Sequence, residues 1–178
     1  MTYHLYHYFE KDHGPFRNLS KLPIEEATHI SHQLRSEGDV FASRRSEEYM
    51  LIRREIEQLA RCQFIAKGGM PKNTYPHYMT LGPCKWLESW YRKPAVITIP
   101  SEEFSEESIS FTYGDLFPTM RYQDEKPYRK QIYSRTEILN VIKEYGFPQD
   151  WNINGDKGPE RYIEVQVWDE EVVGKYIF

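Results

Sequence analysis

Cysteine and long hydrophobic runs are both scarce in this chain of 178 residues. Its two cysteines, Cys62 and Cys84, have no C-x-x-C spacing, which argues against a disulfide framework and a thiolate zinc site. No apolar run approaches the ~20 residues of a membrane-spanning helix, so no membrane association is expected. The first residues lack the basic and apolar regions of a secretory signal. We therefore expect a cytoplasmic protein.

Several catalytic and metal-binding motifs are also missing. The sequence contains no Ser-His-Asp nucleophile elbow, no P-loop and no dinucleotide glycine fingerprint. Glycine and lysine do occur together at 68–72, but their spacing is that of a helix end followed by a loop. His4 and His7 point to opposite faces of a strand. His29 and His32 supply only two ligands, and catalytic zinc needs three, so no metal site is predicted.

Aromatic residues, in contrast, are abundant: the chain has 14 Tyr, 9 Phe and 4 Trp. Together with 39% hydrophobic residues, they predict one folded domain that spans residues 1–178. The net charge of −4 makes nonspecific nucleic-acid binding an improbable function. Residues 61–100, with 6 basic side chains and 1 acidic one, have a net charge of +5, which leaves room for one anion site.

Hydrophobic periodicity predicts both strands and helices. Alternation predicts strands over 3–9, 77–81, 95–99, 109–113 and 161–168. Three- and four-residue spacing predicts helices over 23–38, 46–67 and 134–146, the last opened by a Ser134–Glu137 capping box. A shorter helix is expected over 84–91. Because helices and strands do not alternate regularly, the fold class is α+β, with about three helices and a mainly antiparallel or mixed sheet.

The helix over 46–67 has the clearest predicted core stripe. The expected buried positions share one helix face: Tyr49, Ile52, Ile56, Leu59 and Gln63. Glu57 falls on another face, where it is expected to pair with Arg61 at i,i+4.

Two residues have two interpretations each. His7 lies in the middle of a strand beside Leu5 and Phe9, so it is either a structural histidine bonded to backbone or a group that positions a ligand. Glu164 lies on the polar face of the last strand. It is either solvated or, beside Tyr162, lines a cleft where its carboxyl group acts on a sugar hydroxyl or as a base.

Loop residues offer further candidates. Arg17, Arg44 and Arg45 carry guanidinium groups suited to phosphate, although loop arginines are usually solvated. Asp115 follows Gly114 and is interpreted as a turn residue.

The segment Leu5-Tyr6-His7-Tyr8-Phe9 resembles the first strand of ADP-ribosyltransferase-like domains. The resemblance continues in the order of a histidine, then helices, then a strand tyrosine, and finally a late-strand glutamate. It implies an ADP-ribosyltransferase-like fold that binds NAD or a related nucleotide. His7 would orient a ribose, Tyr78 or Tyr113 would stack on nicotinamide, and Glu164 would stabilise an oxocarbenium-like centre.

The candidate site is therefore one catalytic residue, Glu164, with five ligand-binding residues: His7, Arg17, Tyr78, Tyr113 and Tyr162. We expect His7 and Glu164 to open into one cleft. The alternative is a binding module without enzymatic activity, in which an aromatic surface contacts a protein or a small ligand. Seven rings fall outside the predicted core stripes and could line a shared cleft: Tyr6, Tyr8, Tyr78, Trp86, Trp90, Tyr162 and Trp168.

Overall fold

A five-stranded antiparallel sheet forms the centre of the computed structural model, which describes residues 3–38 and 41–177. Its strands are β1 (His4–Glu10), β2 (His77–Leu81), β3 (Pro94–Pro100), β4 (Ile109–Thr112) and β5 (Glu164–Val167). Their order across the sheet is β3-β1-β2-β5-β4. The α+β class is confirmed, and every strand pair is antiparallel.

Helices surround the sheet. The long ones are α1 (Ile24–Glu37), α2 (Tyr49–Ala66) and α5 (Arg135–Tyr145), and the short ones are α3 (Lys85–Glu88), α4 (Leu116–Arg121), α6 (Pro148–Trp151) and α7 (Glu170–Val173). The predicted number of about three was too low, because helices of one or two turns are too short to show a repeating pattern. The predicted capping box opens α5. None of the helices in the described ranges is long and apolar enough to cross a membrane.

The two faces of the sheet are chemically different. Strand register places Tyr6 beside Thr80, Thr80 beside Glu164 and Glu164 beside Thr112 on one face, which we call the polar face. Side chains alternate along a strand, so the intervening residues form the opposite, apolar face. That face packs against α5 and α7 in the main hydrophobic core. Helices α2 and α4 cover part of the polar face through a second cluster.

The buried stripe of α2 differs from the predicted one. Leu59 is 50% exposed, whereas Glu57 is completely buried. The predicted Glu57–Arg61 pair is absent, because Arg61 instead donates to the carbonyl oxygens of Pro71 and Asn73. The apolar residues that α2 buries are Met50, Ile56, Ala60 and Phe64. Periodicity alone could not show that the buried face of α2 includes Glu57. Its burial depends on Tyr78 of β2, whose hydroxyl group donates a hydrogen bond to the Glu57 carboxylate.

The pairing between β1 and β2 is short. β1 pairs with β3 along its whole length, from His4 to Glu10. With β2 it pairs only at Leu5–Leu81 and Tyr6–Thr80. The ladder therefore stops at Tyr6, and this interruption in the sheet positions the site.

Candidate functional site

A cavity of about 990 Å³ lies where the β1–β2 ladder stops. It is bordered by α1, α2, the start of α4 and the loops after β1 and α3. Five of the six predicted site residues line it: His7, Arg17, Tyr78, Tyr162 and Glu164. Tyr113 does not, because it is buried in the main core and its hydroxyl donates to the carbonyl oxygens of Tyr145 and Gly146.

His7 and Glu164 border this cavity from opposite faces of the sheet. Glu164 is beside Thr80 and Thr80 is beside Tyr6, so His7, one residue further along β1, points away from Glu164. The cavity reaches both because it occupies the gap between β1 and β2. Both side chains therefore line the same cavity, as expected, but they do so from opposite faces of the sheet.

The imidazole of His7 has a partner at each ring nitrogen. Nδ1 lies 2.9 Å from the carbonyl oxygen of Tyr78, and Nε2 accepts a hydrogen bond from the backbone N–H of Phe16 at 2.8 Å. This arrangement requires a neutral ring with its proton on Nδ1. Burial lowers the pKa of His7 to about 4, despite the opposing effect of the Tyr78 carbonyl. The side chain thus ties the loop after β1 to β2.

The loop after β1 is held in place at Phe16, which contacts His7 through both its backbone and its ring. Its ring stacks on His7 with centroids 4.1 Å apart and meets His77 edge-on. Its backbone φ of 55° lies in the left-handed region, which is uncommon for a residue with a side chain. The contacts with His7 hold this conformation and set the path of the chain into Arg17, which lines the cavity.

Glu164 is not solvated, contrary to one of the two interpretations: it is only 5% exposed. Its Oε1 accepts hydrogen bonds from the backbone N–H of Leu116 and from the amide of Gln166. Its Oε2 lies 3.3 Å from the hydroxyl of Tyr162, and that hydroxyl lies 3.0 Å from Oδ2 of Asp115. A phenol thus bridges two carboxyl groups at the cavity wall.

Both carboxyl groups are harder to ionise than usual. Burial, followed by the charge of Asp115, raises the pKa of Glu164 well above its usual value. Burial also raises the pKa of Asp115, although the N–H of Phe117 and the hydroxyl of Tyr162 favour its charged form. We therefore assign the proton of this pair to Glu164 at neutral pH and the negative charge to Asp115.

A second charged group lies on the α2 side of the cavity. Glu57 accepts a 2.6 Å hydrogen bond from the hydroxyl of Tyr78 and a 3.0 Å bond from Nε of Arg53. Arg53 also donates to Asn18, and its guanidinium group lies over the ring of Tyr78. Burial opposes the shift, but the Tyr49 and Tyr78 hydroxyl groups and the Glu57 carboxylate raise the pKa of Arg53 well above its usual value. This network fixes the ring of Tyr78.

Three other arginines line the cavity, Arg17, Arg45 and Arg92, and the first two are the candidates for an anion site. No carboxylate of the described ranges lies within ion-pair distance of Arg17 or Arg45. The guanidinium group of Arg45 lies 4.5 Å from the ring centroid of Tyr49. Arg17 and Arg45 remain available for an anionic ligand.

Aromatic rings supply much of the wall. Of the seven rings expected to share a cleft, five line the cavity: Tyr6, Tyr8, Tyr78, Trp90 and Tyr162. Trp168 is instead completely buried beside Phe64, and Trp86 packs against Phe41 and Tyr162 outside the lining. Tyr49 and Tyr91 join the wall.

Sequence reasoning missed two polar members of the site. Asp115 does cap α4, as a turn residue could, but its second oxygen also bonds to Tyr162. The periodicity predicts Glu57 outside the core stripe of its helix, paired with Arg61, whereas it is completely buried. A signal for Glu57 existed in its i−4 spacing from Arg53, but that spacing is equally common on exposed helices. Only the position of Tyr78 on a neighbouring strand distinguishes the two cases.

In the described part of the chain, no three His, Cys, Asp or Glu side chains are grouped so that they could hold a metal ion. The cavity instead offers rings, guanidinium groups and a pair of carboxyl groups. In comparisons with protein-family models, curated proteins and solved structures, the chain matches none of them.

Proposed function

We propose that the cavity binds NAD or a related nucleotide. The observation that supports this most is the combination, within one space, of stacking rings, arginines without a carboxylate partner and a buried carboxyl group. A nucleotide needs these three elements, because its base stacks, its phosphates are anionic and its ribose carries hydroxyl groups. The volume of about 990 Å³ lies at the upper end of the range for small-molecule sites.

The elements suggest an orientation for the ligand. Arg17 and Arg45 are the groups for the phosphates, because their guanidinium groups can form bidentate contacts. Tyr78 is the platform for a base, since Glu57 and Arg53 hold its ring. Glu164 takes the adjacent ribose, as the family resemblance implies.

The role proposed for His7 changes with its contacts. A ribose hydroxyl could bond to the imidazole only if the ring gave up Phe16 or Tyr78. We therefore infer that His7 acts indirectly, by fixing the loop that carries Arg17. In a transferase, Glu164 would stabilise the positive charge that develops on the ribose when the bond to nicotinamide breaks.

Calorimetric titration and thermal unfolding with NAD, ADP-ribose, nicotinamide mononucleotide and AMP test this function. Ligand at 100 times its Kd should stabilise the fold by about 2.7 kcal/mol. Arg45→Ala should weaken binding of the phosphate-containing ligands about tenfold or more, which is the effect of losing about 1.4 kcal/mol. Its neighbour provides the matched control: Arg44→Ala removes an arginine that does not line the cavity and should leave affinity unchanged.

Absence of binding by all four ligands at millimolar concentration would contradict the proposal. The second candidate function would then gain weight, namely binding of a protein or another small ligand by an aromatic surface. One observation favours it: Phe41 stacks on Trp90 at 3.7 Å and meets Trp86 edge-on, and all three rings are only half-buried. Liberation of nicotinamide from bound NAD, followed by chromatography, separates an enzyme from a binding module.

A further inference from the structure

The bridge between Glu164 and Asp115 has too few protons if both carboxyl groups are charged. The hydroxyl of Tyr162 has one hydrogen, and it lies within hydrogen-bond distance of an oxygen from each group. Donation to Asp115, the nearer partner at 3.0 Å, leaves Oε2 of Glu164 facing the phenol oxygen with no hydrogen between them. A proton on that Oε2 completes the chain from Glu164 through Tyr162 to Asp115.

The remaining contacts indicate where each charge belongs. The other oxygen of Asp115, Oδ1, accepts the N–H of Phe117 at 2.8 Å, so both Asp115 oxygens receive a donor. In Glu164 both outside donors, Leu116 and Gln166, converge on Oε1. Oε2 is therefore the oxygen that can hold the proton.

Charged and titratable groups from several elements face this pair. From α2 and the turn before it come Arg53 and Arg45, which favour the charged forms. Tyr78 on β2 and Cys84 beside Tyr162 are uncharged at neutral pH, because burial raises the pKa of both, and the charges of Glu57 and Glu164 raise that of Tyr78 further. Even with these arginines nearby, the pKa values of Asp115 and Glu164 stay raised. One further positive charge beside Glu164 would favour the form in which both carboxyl groups are ionised.

We propose that the carboxyl groups of Asp115 and Glu164, bridged by the Tyr162 hydroxyl, share one acidic proton in the free protein and release it to solvent when a positively charged ligand ring enters the cavity beside Glu164. The inference rests on the proposed nucleotide function and narrows it to nucleotides whose ring carries a positive charge, such as oxidised nicotinamide. A cation a few ångströms away in a water-poor site favours the carboxylate strongly. Asp115 and Tyr162 are positioning residues, because they act through Glu164.

Calorimetry with NAD and its reduced form, NADH, tests this coupling, because the two share their phosphates and differ in ring charge. Titrations in two buffers with different ionisation enthalpies count the protons released. We expect about one proton with NAD and none with NADH. The association constant for NAD should increase about tenfold per pH unit while Glu164 is protonated in the free protein. Glu164→Gln should abolish the release.

Two conservative variants separate charge from hydrogen bonding. Asp115→Asn keeps a capping oxygen for Phe117 but removes a negative charge, so it should lower the pKa of Glu164 and reduce proton release at neutral pH. Tyr162→Phe keeps both carboxyl groups and should leave that pKa raised. Carbon NMR of the Glu164 carboxyl group, titrated in the free protein, measures both effects without any ligand.

Three results would overturn the inference. Binding of NAD without proton release would contradict it while leaving the nucleotide function intact. Failure of both dinucleotides to bind would remove the coupling, and failure of ADP-ribose, nicotinamide mononucleotide and AMP as well would remove the nucleotide function. A Glu164 carboxyl group that titrates at its ordinary pKa in the free protein would refute the stored proton whatever binds.

Discussion

Both faces of the sheet are buried, but they are stabilised in different ways. The apolar face presents Leu5, Met79, Val165 and Phe111 to α5 and α7 and depends on close packing. On the polar face, hydrogen bonds run from Trp168 to Ser110, from Ser110 to Gln166, and from Gln166 to Thr112 and Glu164. Buried polar groups are tolerated when each has a partner. This network leads to the cavity, where it continues from Glu164 through Tyr162 to Asp115.

The largest expected effect is on the apolar face. Phe111→Ala should lower the free energy of unfolding by about 3–5 kcal/mol, because it removes a ring that is 1% exposed and leaves a cavity in the main core. Urea unfolding measures this loss. Phe111→Leu, which retains most of the volume, should cost clearly less. A loss below 1 kcal/mol for the alanine variant would show that this face is not close-packed.

His7 makes the apolar side of β1 sensitive to acid. Its pKa is about 4 in the folded protein and near 6.5 when unfolded, so the unfolded chain binds the extra proton first. The contribution of neutral His7 to the free energy of unfolding is complete above pH 6.5, and it falls by about 3 kcal/mol as the pH falls to 4. His77, whose pKa is lowered to about 3, adds to this loss.

His7→Gln tests this explanation, because an amide keeps a donor and an acceptor without titrating. Between pH 6.5 and 4, the variant should lose less stability than the wild type, as measured by urea unfolding at each pH. A parallel pH dependence in both proteins would contradict the assignment.

A smaller effect is expected for the polar network. Thr112→Val keeps the shape of the side chain but removes the oxygen that accepts the amide of Gln166. We expect a loss of about 1–3 kcal/mol, the cost of one buried polar group without a partner. Thr136→Val, at an exposed position on α5, is the matched control and should change stability by less than about 0.5 kcal/mol. Equal effects at both positions would show that the network does not stabilise the fold.

The change in stability expected at Glu164 has the opposite sign. Because the pKa of Glu164 is raised, the folded protein holds a proton that the unfolded chain loses above about pH 4.3, so this group costs stability as the pH rises. Glu164→Gln should therefore raise Tm at pH 8, because an amide stays neutral in both the folded and the unfolded chain. The gain should disappear near pH 4. A lower Tm at pH 8 would contradict the stored proton.

Local patterns in the sequence predicted most elements, because alternation and capping act over a few residues. The strand at His77–Leu81 has the predicted limits, and Gly38, with a φ of 75°, ends α1 as expected. The alternation also separated Val165 from Glu164 correctly, although it could not show that both faces are buried.

The predictions that were wrong or missing concern contacts between residues far apart in the sequence. The burial of Glu57 requires Tyr78 from another strand, and the pairing of Asp115 with Glu164 requires the register of β4 and β5. Tyr113 follows an alternating strand, but its hydroxyl group donates a hydrogen bond to the end of α5. Of the two candidate tyrosines, only Tyr78 lines the cavity. The family resemblance fixed none of these contacts, so nucleotide binding stays a prediction.

Calorimetric titration of the wild type and Glu164→Gln with NAD tests most directly whether Glu164 serves ligand binding rather than stability. We predict binding by the wild type, affinity at least tenfold lower for the variant, and no decrease in the variant's Tm. Equal affinities in the two proteins, or binding by neither, would contradict the account.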